Sequence, residues 1–311
     1  MSYDLVIIGG GPAGTSAGVY AARKQIKTLL ITETFGGQSI VSPEIQNWIG
    51  DISVSGVELA KRFRKHLEAY AKDHLTIKTS SKVTSIQKNG DSFIIKDSKG
   101  EEVQTTFVFI SSGAGRRKLE GIEGAEELEH KGLTYCASCD GPFFADKDVV
   151  VIGGGNAGFE TAAQLLAYTK SVTLLQRSDR YKADKITVEK VLANPKMTGI
   201  LNAGIKKVEG QDKVTGVVYT DRESGEDKKL DAEGVFVEIG LITQTEFLSK
   251  DLLEFDEYGR IVVDPKNQRS STDGIWAAGD CSNGLYHQNN IAAGDAVKAV
   301  EDIYIQLTKK K

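Results

Sequence analysis

Two cysteines of this chain stand only two residues apart, with an acid directly behind them. Cys136 and Cys139 lie in the segment YCASCDGPFF, and Asp140 follows the second cysteine. A C-x-x-C turn lets two sulfurs meet with little strain and can lower the pKa of one thiol. The segment therefore predicts a redox-active pair, and Asp140 is a candidate for passing protons as a disulfide opens.

Zinc binding and an inert turn are the alternatives to a redox role for this pair. A structural zinc site needs about four ligands. Besides the pair, the chain offers Cys281 and four histidines that occur singly: His66, His74, His130 and His287. Because these residues are scattered, we predict no metal site and interpret Cys281 as a packing residue.

A glycine-rich unit occurs twice in the sequence, as DLVIIGGGPAG at 4–14 and as DVVVIGGGNAG at 148–158. Each copy leads from an apolar strand into a helix-like stretch and a second strand, which is the context that a dinucleotide-binding motif requires. The first glycine makes the turn, the second lets backbone amides approach a pyrophosphate, and the third lets helix and strand pack closely. These roles fall to Gly9, Gly11 and Gly14 in the first copy, and to Gly153, Gly155 and Gly158 in the second.

Two dinucleotide sites in one chain indicate a flavin and a nicotinamide, because hydride transfer needs a donor and an acceptor. The segment GIWAAGDCS ends an apolar strand with Gly279 and Asp280 and precedes a long helix-like stretch. An aspartate at such a strand end can accept a hydrogen bond from a ribityl hydroxyl. We therefore predict a flavin site assembled from both ends of the chain.

The predicted fold class is α/β, with two Rossmann-like dinucleotide-binding domains of the FAD/NAD(P)-binding type, the second inserted into the first. Residues 1–113 and 245–311 are predicted to form the FAD-binding domain. Residues 114–244 are predicted to form the NAD(P)H-binding domain, which carries the C-x-x-C pair. Alternating apolar and polar residues at 76–100 and 210–230 predict an antiparallel hairpin in each domain.

Composition narrows the classes of function. Of the 311 residues, 40% are hydrophobic and 26% are charged, which is typical of a globular protein. The net charge of −4 gives no attraction to nucleic acid or to an anionic membrane, and no stretch approaches the roughly 18 apolar residues of a membrane span. We predict a soluble cytoplasmic protein. Thiols are kept reduced in that compartment, which favours a catalytic role for a close cysteine pair.

The motifs GGGPAG, FGGQS, QNWIG, CASCDG, GGGNAGFE and AAGDC together resemble those of the low-molecular-weight thioredoxin reductases, over the whole chain. The chain is also similar to the flavoprotein component of alkyl hydroperoxide reductase without its N-terminal domains. The resemblance implies bound FAD, a homodimer and a nicotinamide domain that rotates. It also implies that electrons pass from NADPH through FAD and the Cys136–Cys139 disulfide to thioredoxin or a thioredoxin-like protein.

The resemblance further implies a role for individual residues. Cys139 would be the sulfur nearest the flavin, Cys136 the sulfur that attacks the partner's disulfide, and Asp140 the acid–base group. The residues implied in FAD binding are Gly9, Gly11, Pro12, Ala13, Gly14, Glu33, Gly36, Gly37, Gln38, Asn47, Asp280 and Gln288. The remaining cofactor-binding residues are Val83, Gly113, Gly153, Gly155, Asn156, Ala157, Gly158, Arg177, Lys182, Gly279, His287 and Asn289.

The choice of nicotinamide depends on the segment QRSDRYK after the second strand of the inserted unit. Arginines there suit the 2′-phosphate of NADPH, whereas an acid suits the free 2′-hydroxyl of NADH. Arg177 favours NADPH, with NADH as the alternative, since one arginine of the family's pair is missing and Gln176 stands in the slot of the acid. Ser111, Ser112, Asn289 and Asn290 also depart from the family pattern near the flavin.

Other functions remain open at this point. A non-nicotinamide donor such as ferredoxin, a redox sensor without turnover, and ferredoxin–NADP reductase chemistry that needs no cysteine pair are the alternatives. The identity of the disulfide partner is not readable from the sequence, because recognition surfaces are loop patches without a code.

Overall fold

The computed structural model describes residues 2–42, 45–71 and 74–310. The chain divides into two compact units: the first combines Met1–Gly115 with Ile242–Lys311, and the second is Arg116–Leu241. Because the first unit contains both chain ends, the second unit is an insertion in its sequence. Within the described ranges, none of the helices combines the length and the apolar character that crossing a bilayer requires.

The helices and strands are numbered along the chain. Up to the insertion they are β1 Ser2–Gly10, α1 Pro12–Arg23, β2 Thr28–Phe35, α2 Gly56–Tyr70, β3 Leu75–Lys78, β4 Val83–Asn89, β5 Ser92–Asp97, β6 Glu102–Ile110 and β7 Ala114–Arg116. They continue with β8 Leu133–Thr134, α3 Ala137–Asp140, β9 Asp148–Ile152, α4 Asn156–Leu165, β10 Ser171–Leu175, α5 Lys185–Leu192, β11 Met197–Ile200, β12 Ala203–Gly210, β13 Val214–Asp221, β14 Asp227–Asp231, β15 Gly234–Val237 and β16 Leu241–Thr243. The last two are β17 Ile275–Ala277 and α6 Asn289–Lys310, and short 3₁₀ helices cover Gly37–Val41 and Gly141–Phe144.

The first unit is built on a sheet in the order β3-β2-β1-β6-β5-β4, with β17 paired to β6. The strands β1, β2, β3, β6 and β17 are parallel, and β4 and β5 extend the sheet as an antiparallel hairpin. Both faces of β1 are buried: Leu5 and Ile7 belong to the core formed with α1 and α6, and Val6 and Ile8 belong to the core on the other side. Burial on both faces explains why β1 is a continuous apolar run and not an alternating one.

The second unit repeats this plan on a smaller scale. Its parallel sheet has the order β11-β10-β9-β15-β8, and a separate antiparallel sheet has the order β12-β13-β14. Val149 and Val151 of β9 pack with Phe159 of α4. Val150 belongs to the core that includes Val217 of the antiparallel sheet.

The predicted α/β class, with a glycine-rich βαβ motif used twice, is confirmed. The predicted hairpins are confirmed as the β4–β5 and β13–β14 pairs. The apolar run KTLLIT predicts a second strand that ends at Thr32, and this prediction was wrong, because β2 runs on to Phe35, which pairs with Gly10 after a register shift. In both units the strand before the glycine turn has a parallel neighbour on each side, which opens a ligand crevice at the carboxyl ends of the strands.

Candidate functional site

The first glycine turn, between β1 and α1, contains two kinds of glycine. Gly9 has φ +112°, and a Cβ there would lie 2.2 Å from the carbonyl oxygen of Ser111. A Cβ on Gly14 would lie 1.9 Å from the carbonyl oxygen of Gly9. Gly11 differs: its φ is −77°, and among the described atoms a Cβ there would approach only those of Gly37, with the Cα atom at 3.7 Å. Packing therefore requires glycine at the first and third positions, while the open side of Gly11 fits a ligand that approaches the backbone.

A cavity of about 380 Å³ lies beside this turn, in the first unit. Of the predicted cofactor-binding residues, its lining includes Gly9, Gly11, Pro12, Ala13, Glu33, Gly37, Gln38, Val83, Gly113, Gly279, Asp280, His287, Gln288 and Asn289. Gly14, Gly36 and Asn47 do not line it. Asn47 nevertheless contacts Gln288, which lines the cavity: Nδ2 of Asn47 donates to Oε1 of Gln288 at 3.1 Å.

Several lining residues were missed by the sequence reasoning. They include Ser81 and Lys82 before β4, and Gln244 and Phe247 just after β16. These residues lie in connections, where apolar periodicity carries no information. The one available signal was their position near strand ends of a predicted dinucleotide-binding sheet.

The start of α6 is tied to an earlier part of the chain by side-chain amides. Ser39 Oγ donates to Oδ1 of Asn289 at 2.8 Å, and Asn290 Nδ2 donates to the carbonyl oxygen of Asn47 at 2.7 Å. Asn289 and Asn290, which depart from the family pattern, thus have partners within the first unit. At the same edge, His287 Nδ1 lies 3.3 Å from Oδ1 of Asp280.

The second glycine turn, between β9 and α4, repeats the division between packing and open positions. A Cβ on Gly153, whose φ is +124°, would lie 2.2 Å from the carbonyl oxygen of Glu238, and a Cβ on Gly158 would lie 1.8 Å from that of Gly153. Gly155 has φ −91°, and a Cβ there would meet no described atom within 4 Å. The second glycine is again the position that the protein's own packing does not explain.

Gln176 follows β10 and is buried against this turn. Its Oε1 accepts from the amide of Gly154 at 3.1 Å, and its Nε2 donates to Ser178 Oγ at 2.8 Å and to the carbonyl oxygen of Arg180 at 3.0 Å. The amide of Lys182 donates to the carbonyl oxygen of Gly154 at 2.7 Å. The loop after β10 is therefore fastened to the glycine turn through neutral groups.

Charged side chains of that loop face solvent. Arg177, Arg180 and Lys182 are exposed, and none of them forms a salt bridge with another residue in the part of the chain that the structure describes. Asn156, at the start of α4, accepts at Oδ1 from the amide of Asp184 at 2.9 Å. The predicted nicotinamide residues thus surround the carboxyl ends of β9 and β10.

The cysteine pair is a disulfide in the second unit. Cys136 and Cys139 are bonded through their sulfurs, with the Cα atoms 5.3 Å apart. Cys136 caps α3, and the amide of Cys139 donates to Cys136 Sγ at 3.2 Å. Cys281 is free and fully buried in the core of the first unit, as its interpretation as a packing residue predicts.

Asp140 has a carboxyl group whose two oxygens differ. Oδ2 accepts a hydrogen bond from the hydroxyl of Thr134, whereas Oδ1 is buried and has no partner among the described residues. Burial raises the pKa of Asp140, and this effect outweighs the opposing effects of the Thr134 hydrogen bond and of nearby His130. Asp140 is therefore more readily protonated than an ordinary carboxyl group.

These features define a class of protein. The sequence model described as "Pyridine nucleotide-disulphide oxidoreductase" matches residues 3–296. The chain belongs to this family, which confirms the resemblance inferred from the motifs. The family implies FAD and a nicotinamide cofactor. The open positions at Gly11 and Gly155, each at the start of a helix beside a parallel sheet, fit the pyrophosphates of two such nucleotides.

Curated relatives carry two different names. The chain is 37% identical to "NADH dehydrogenase" of Bacillus subtilis (strain 168) over 297 residues, which is 96% of this chain and 57% of that protein. It is 38% identical to one subunit of alkyl hydroperoxide reductase from Pseudomonas aeruginosa over 299 residues, again 96% of this chain and 57% of that protein. The chain thus spans little more than half the length of these relatives.

Solved structures match along their whole length. "The crystal structure of thioredoxin reductase from Streptococcus pyogenes MGAS5005" aligns with a TM-score of 0.91 and 34% identity, covering 99% of each chain. "Thioredoxin reductase from Giardia duodenalis" aligns with a TM-score of 0.92 and 32% identity, also covering 99% of each chain.

Proposed function

We propose that the protein is an FAD-dependent disulfide reductase that passes electrons from NADPH to thioredoxin or a thioredoxin-like protein. The observation that carries this proposal is the Cys136–Cys139 disulfide, with Asp140 beside it, in the same unit as the glycine turn at Gly155. The two solved structures described above, which match this chain end to end, are named thioredoxin reductases, and this favours thioredoxin over a hydroperoxide-reducing partner.

The first unit would hold FAD. Backbone amides around Gly11 would face its pyrophosphate, and Asp280 would accept a hydrogen bond from its ribityl chain. FAD, when bound, would supply a two-electron carrier between the nicotinamide and the disulfide. The cavity lining at Ser81–Val83 and at Gln288 would enclose the rest of the group.

The cysteine pair would exchange with the partner's disulfide. Reduction of the pair takes two electrons and two protons. Cys136 then attacks as a thiolate, a new bond forms between its sulfur and a partner sulfur, and the partner's S–S bond breaks. The amide of Cys139 points at Cys136 Sγ and stabilises negative charge there, which supports Cys136 as the attacking sulfur. Asp140 gives its proton to the departing thiolate and takes up the proton that Cys139 loses as it attacks Cys136. The mixed disulfide then breaks, the Cys136–Cys139 bond forms again, and the second partner sulfur leaves as a thiolate that takes from solvent the proton that Cys136 had given up.

The second unit would take NADPH, with NADH as the alternative. Gln176 stands where an NADH-binding protein would carry an acid for the 2′-hydroxyl, and its amide is occupied by three partners. Arg177, with Arg180 and Lys182 nearby, presents positive charge to a 2′-phosphate.

Anaerobic titration of the purified protein tests the electron donor. We expect NADPH to bleach the flavin absorbance at lower concentration than NADH, and subsequent addition of an oxidised thioredoxin to restore the colour. Flavin bleaching by reduced ferredoxin alone, with neither nicotinamide effective, would refute the proposed donor.

Cys136→Ser and Cys139→Ser variants test the disulfide route. Each variant is expected to keep flavin reduction by the nicotinamide and to lose thioredoxin reduction. The relatives named NADH dehydrogenase point to the competing outcome, in which NADH turnover with a non-disulfide acceptor survives both substitutions. We further propose a homodimer, which sedimentation equilibrium checks.

A further inference from the structure

Thr134 connects the proposed proton donor to the cysteine pair. It is the last residue of β8 and is buried, with 5% of its surface exposed. Its hydroxyl donates to Oδ2 of Asp140 and accepts from the amide of Cys136 at 3.4 Å. One hydroxyl group therefore contacts both the acid and the backbone of the first cysteine.

The partners around the hydroxyl set the direction of these hydrogen bonds. A backbone N–H can only donate, so the amide of Cys136 uses one of the two lone pairs of the hydroxyl oxygen. Among the described residues, Asp140 Oδ2 is the acceptor that the hydroxyl hydrogen reaches, and donation to Oδ2 pairs that hydrogen, whereas donation in the reverse direction would leave it unpaired. When the carboxyl group is neutral, its proton is accordingly on Oδ1, the oxygen without a partner among the described residues.

We propose that Thr134 is a positioning residue that places the transferable proton of Asp140 on Oδ1. This inference rests on the proposed function, in which Asp140 protonates a departing thiolate. In that step the Oδ1–H bond breaks and an S–H bond forms on the partner's sulfur. The carboxylate that remains is stabilised by the Thr134 hydroxyl, which already points at Oδ2.

Other titratable groups lie near this site. His130 precedes β8, and its charge acts on Asp140. Tyr135 follows β8, and burial, together with Glu129, raises its pKa to about 12. Tyr168 lies beyond α4 next to Gly141, and burial raises its pKa. The donor to Asp140 Oδ2 is the Thr134 hydroxyl and not one of these three side chains.

The Thr134→Val variant tests the proposal, because valine has nearly the shape of threonine and lacks the hydroxyl. The measurement is the pH profile of kcat with NADPH and oxidised thioredoxin, whose departing alkyl thiolate takes up a proton near neutral pH. We expect a loss of about tenfold in kcat. We also expect the apparent pKa of the acidic group to rise, since the carboxylate loses a donor. Thr134→Ser retains the hydroxyl and is expected to restore both quantities.

Thr169→Val is the matched control. Thr169 is also buried in the second unit, and its hydroxyl donates to the carbonyl oxygen of Leu165 at 2.8 Å, so its loss reports the cost of removing a buried hydroxyl elsewhere. A Thr134→Val profile with the same pH dependence as Thr169→Val would overturn the proposal.

A double-mutant comparison keeps the test decisive if Thr134→Val is unstable. Thr134→Ala combined with Asp140→Asn should lose little beyond Asp140→Asn alone, because both changes act on one proton. If the fold-losses in kcat of the two single variants instead multiply in the double variant, Thr134 acts independently of Asp140 and the inference is overturned. Absence of disulfide reduction in the unaltered protein, despite flavin bleaching by NADPH, would instead refute the proposed function.

Discussion

Replacing Gly155 with alanine is expected to weaken nicotinamide binding while leaving the fold intact. Gly155 has extended backbone that any residue adopts, and no described atom lies within 4 Å of the added Cβ. Alanine restricts the unfolded chain, which stabilises the fold, but it is a poorer N-cap residue than glycine for α4, so these effects oppose each other and the free energy of unfolding should change by less than about 1 kcal/mol. A bound pyrophosphate would meet the new methyl group and lose at least one charge-assisted hydrogen bond. Such a loss costs about 1.5–3 kcal/mol, or roughly ten- to a hundredfold in affinity.

Gly158→Ala is the matched opposite, because its Cβ would lie 1.8 Å from the carbonyl oxygen of Gly153. The backbone must move, and we expect a loss of about 1–3 kcal/mol in stability.

Both tryptophans, Trp48 and Trp276, lie in the first unit. Melting of the second unit is therefore best followed by far-UV circular dichroism, and affinity by flavin bleaching at increasing NADPH. Equal destabilisation by the two substitutions, or unchanged NADPH affinity in Gly155→Ala, would refute the reasoning.

Three further predictions concern single side chains. Asp97→Asn should lower the free energy of unfolding by about 3–5 kcal/mol at neutral pH. Hydrogen bonds hold the folded pKa of Asp97 below its unfolded value, so the stability that the carboxylate contributes is complete above about pH 4 and is lost as pH falls further. Chemical denaturation should therefore show a difference in unfolding free energy between the two proteins that shrinks at acid pH. Ser111→Ala should cost no more than about 1 kcal/mol in a thermal melt, because the carbonyl of Ile8 keeps the amide of Ser111 as a donor at 2.8 Å. Gln176→Glu should change nucleotide preference, because a carboxylate accepts a hydrogen bond from the 2′-hydroxyl of NADH and repels the 2′-phosphate of NADPH. When kcat/KM is measured with both nucleotides, the ratio of the NADPH value to the NADH value should fall by about tenfold.

The fold was predictable because it is marked by two clear kinds of sequence signal, glycines at a fixed spacing and continuous apolar runs. Gly9 and Gly14 are fixed by steric contacts that a one-residue shift would destroy, so their spacing identifies the turn in the sequence. The apolar run of β1 is buried on both faces, which marks a parallel central strand. The end of β2 was less predictable, because the extension to Phe35 depends on a register shift in its neighbour and not on its own residues.

Side-chain partners in the candidate site were less predictable than the turns. Gln176 was recognised as lacking the acid's charge, but its three hydrogen bonds depend on how the loop to Lys182 folds back on Gly154. Thr134 carried no signal at all, since a threonine at the end of a short strand is ordinary. Its contact with Asp140 depends on how the chain turns at α3, and the residue types alone do not predict that turn.

Two aspartate side chains of this protein show how partners decide what a carboxyl group does. Burial alone raises the pKa of both Asp97 and Asp140. Asp97 also accepts from Lys78, from the Ser81 hydroxyl and from two backbone amides, and these donors outweigh burial and lower its pKa. Among the residues that the structure describes, Asp140 has one donor, Thr134, and its hydrogen bond does not outweigh burial. A fully paired carboxylate gives up no proton near neutral pH and serves to fix β5 beside Ser81, whereas a carboxyl group with one free oxygen can hold a proton and release it. The shortage of partners at Asp140 among the described residues is thus the property that the proposed proton transfer at the cysteine pair requires.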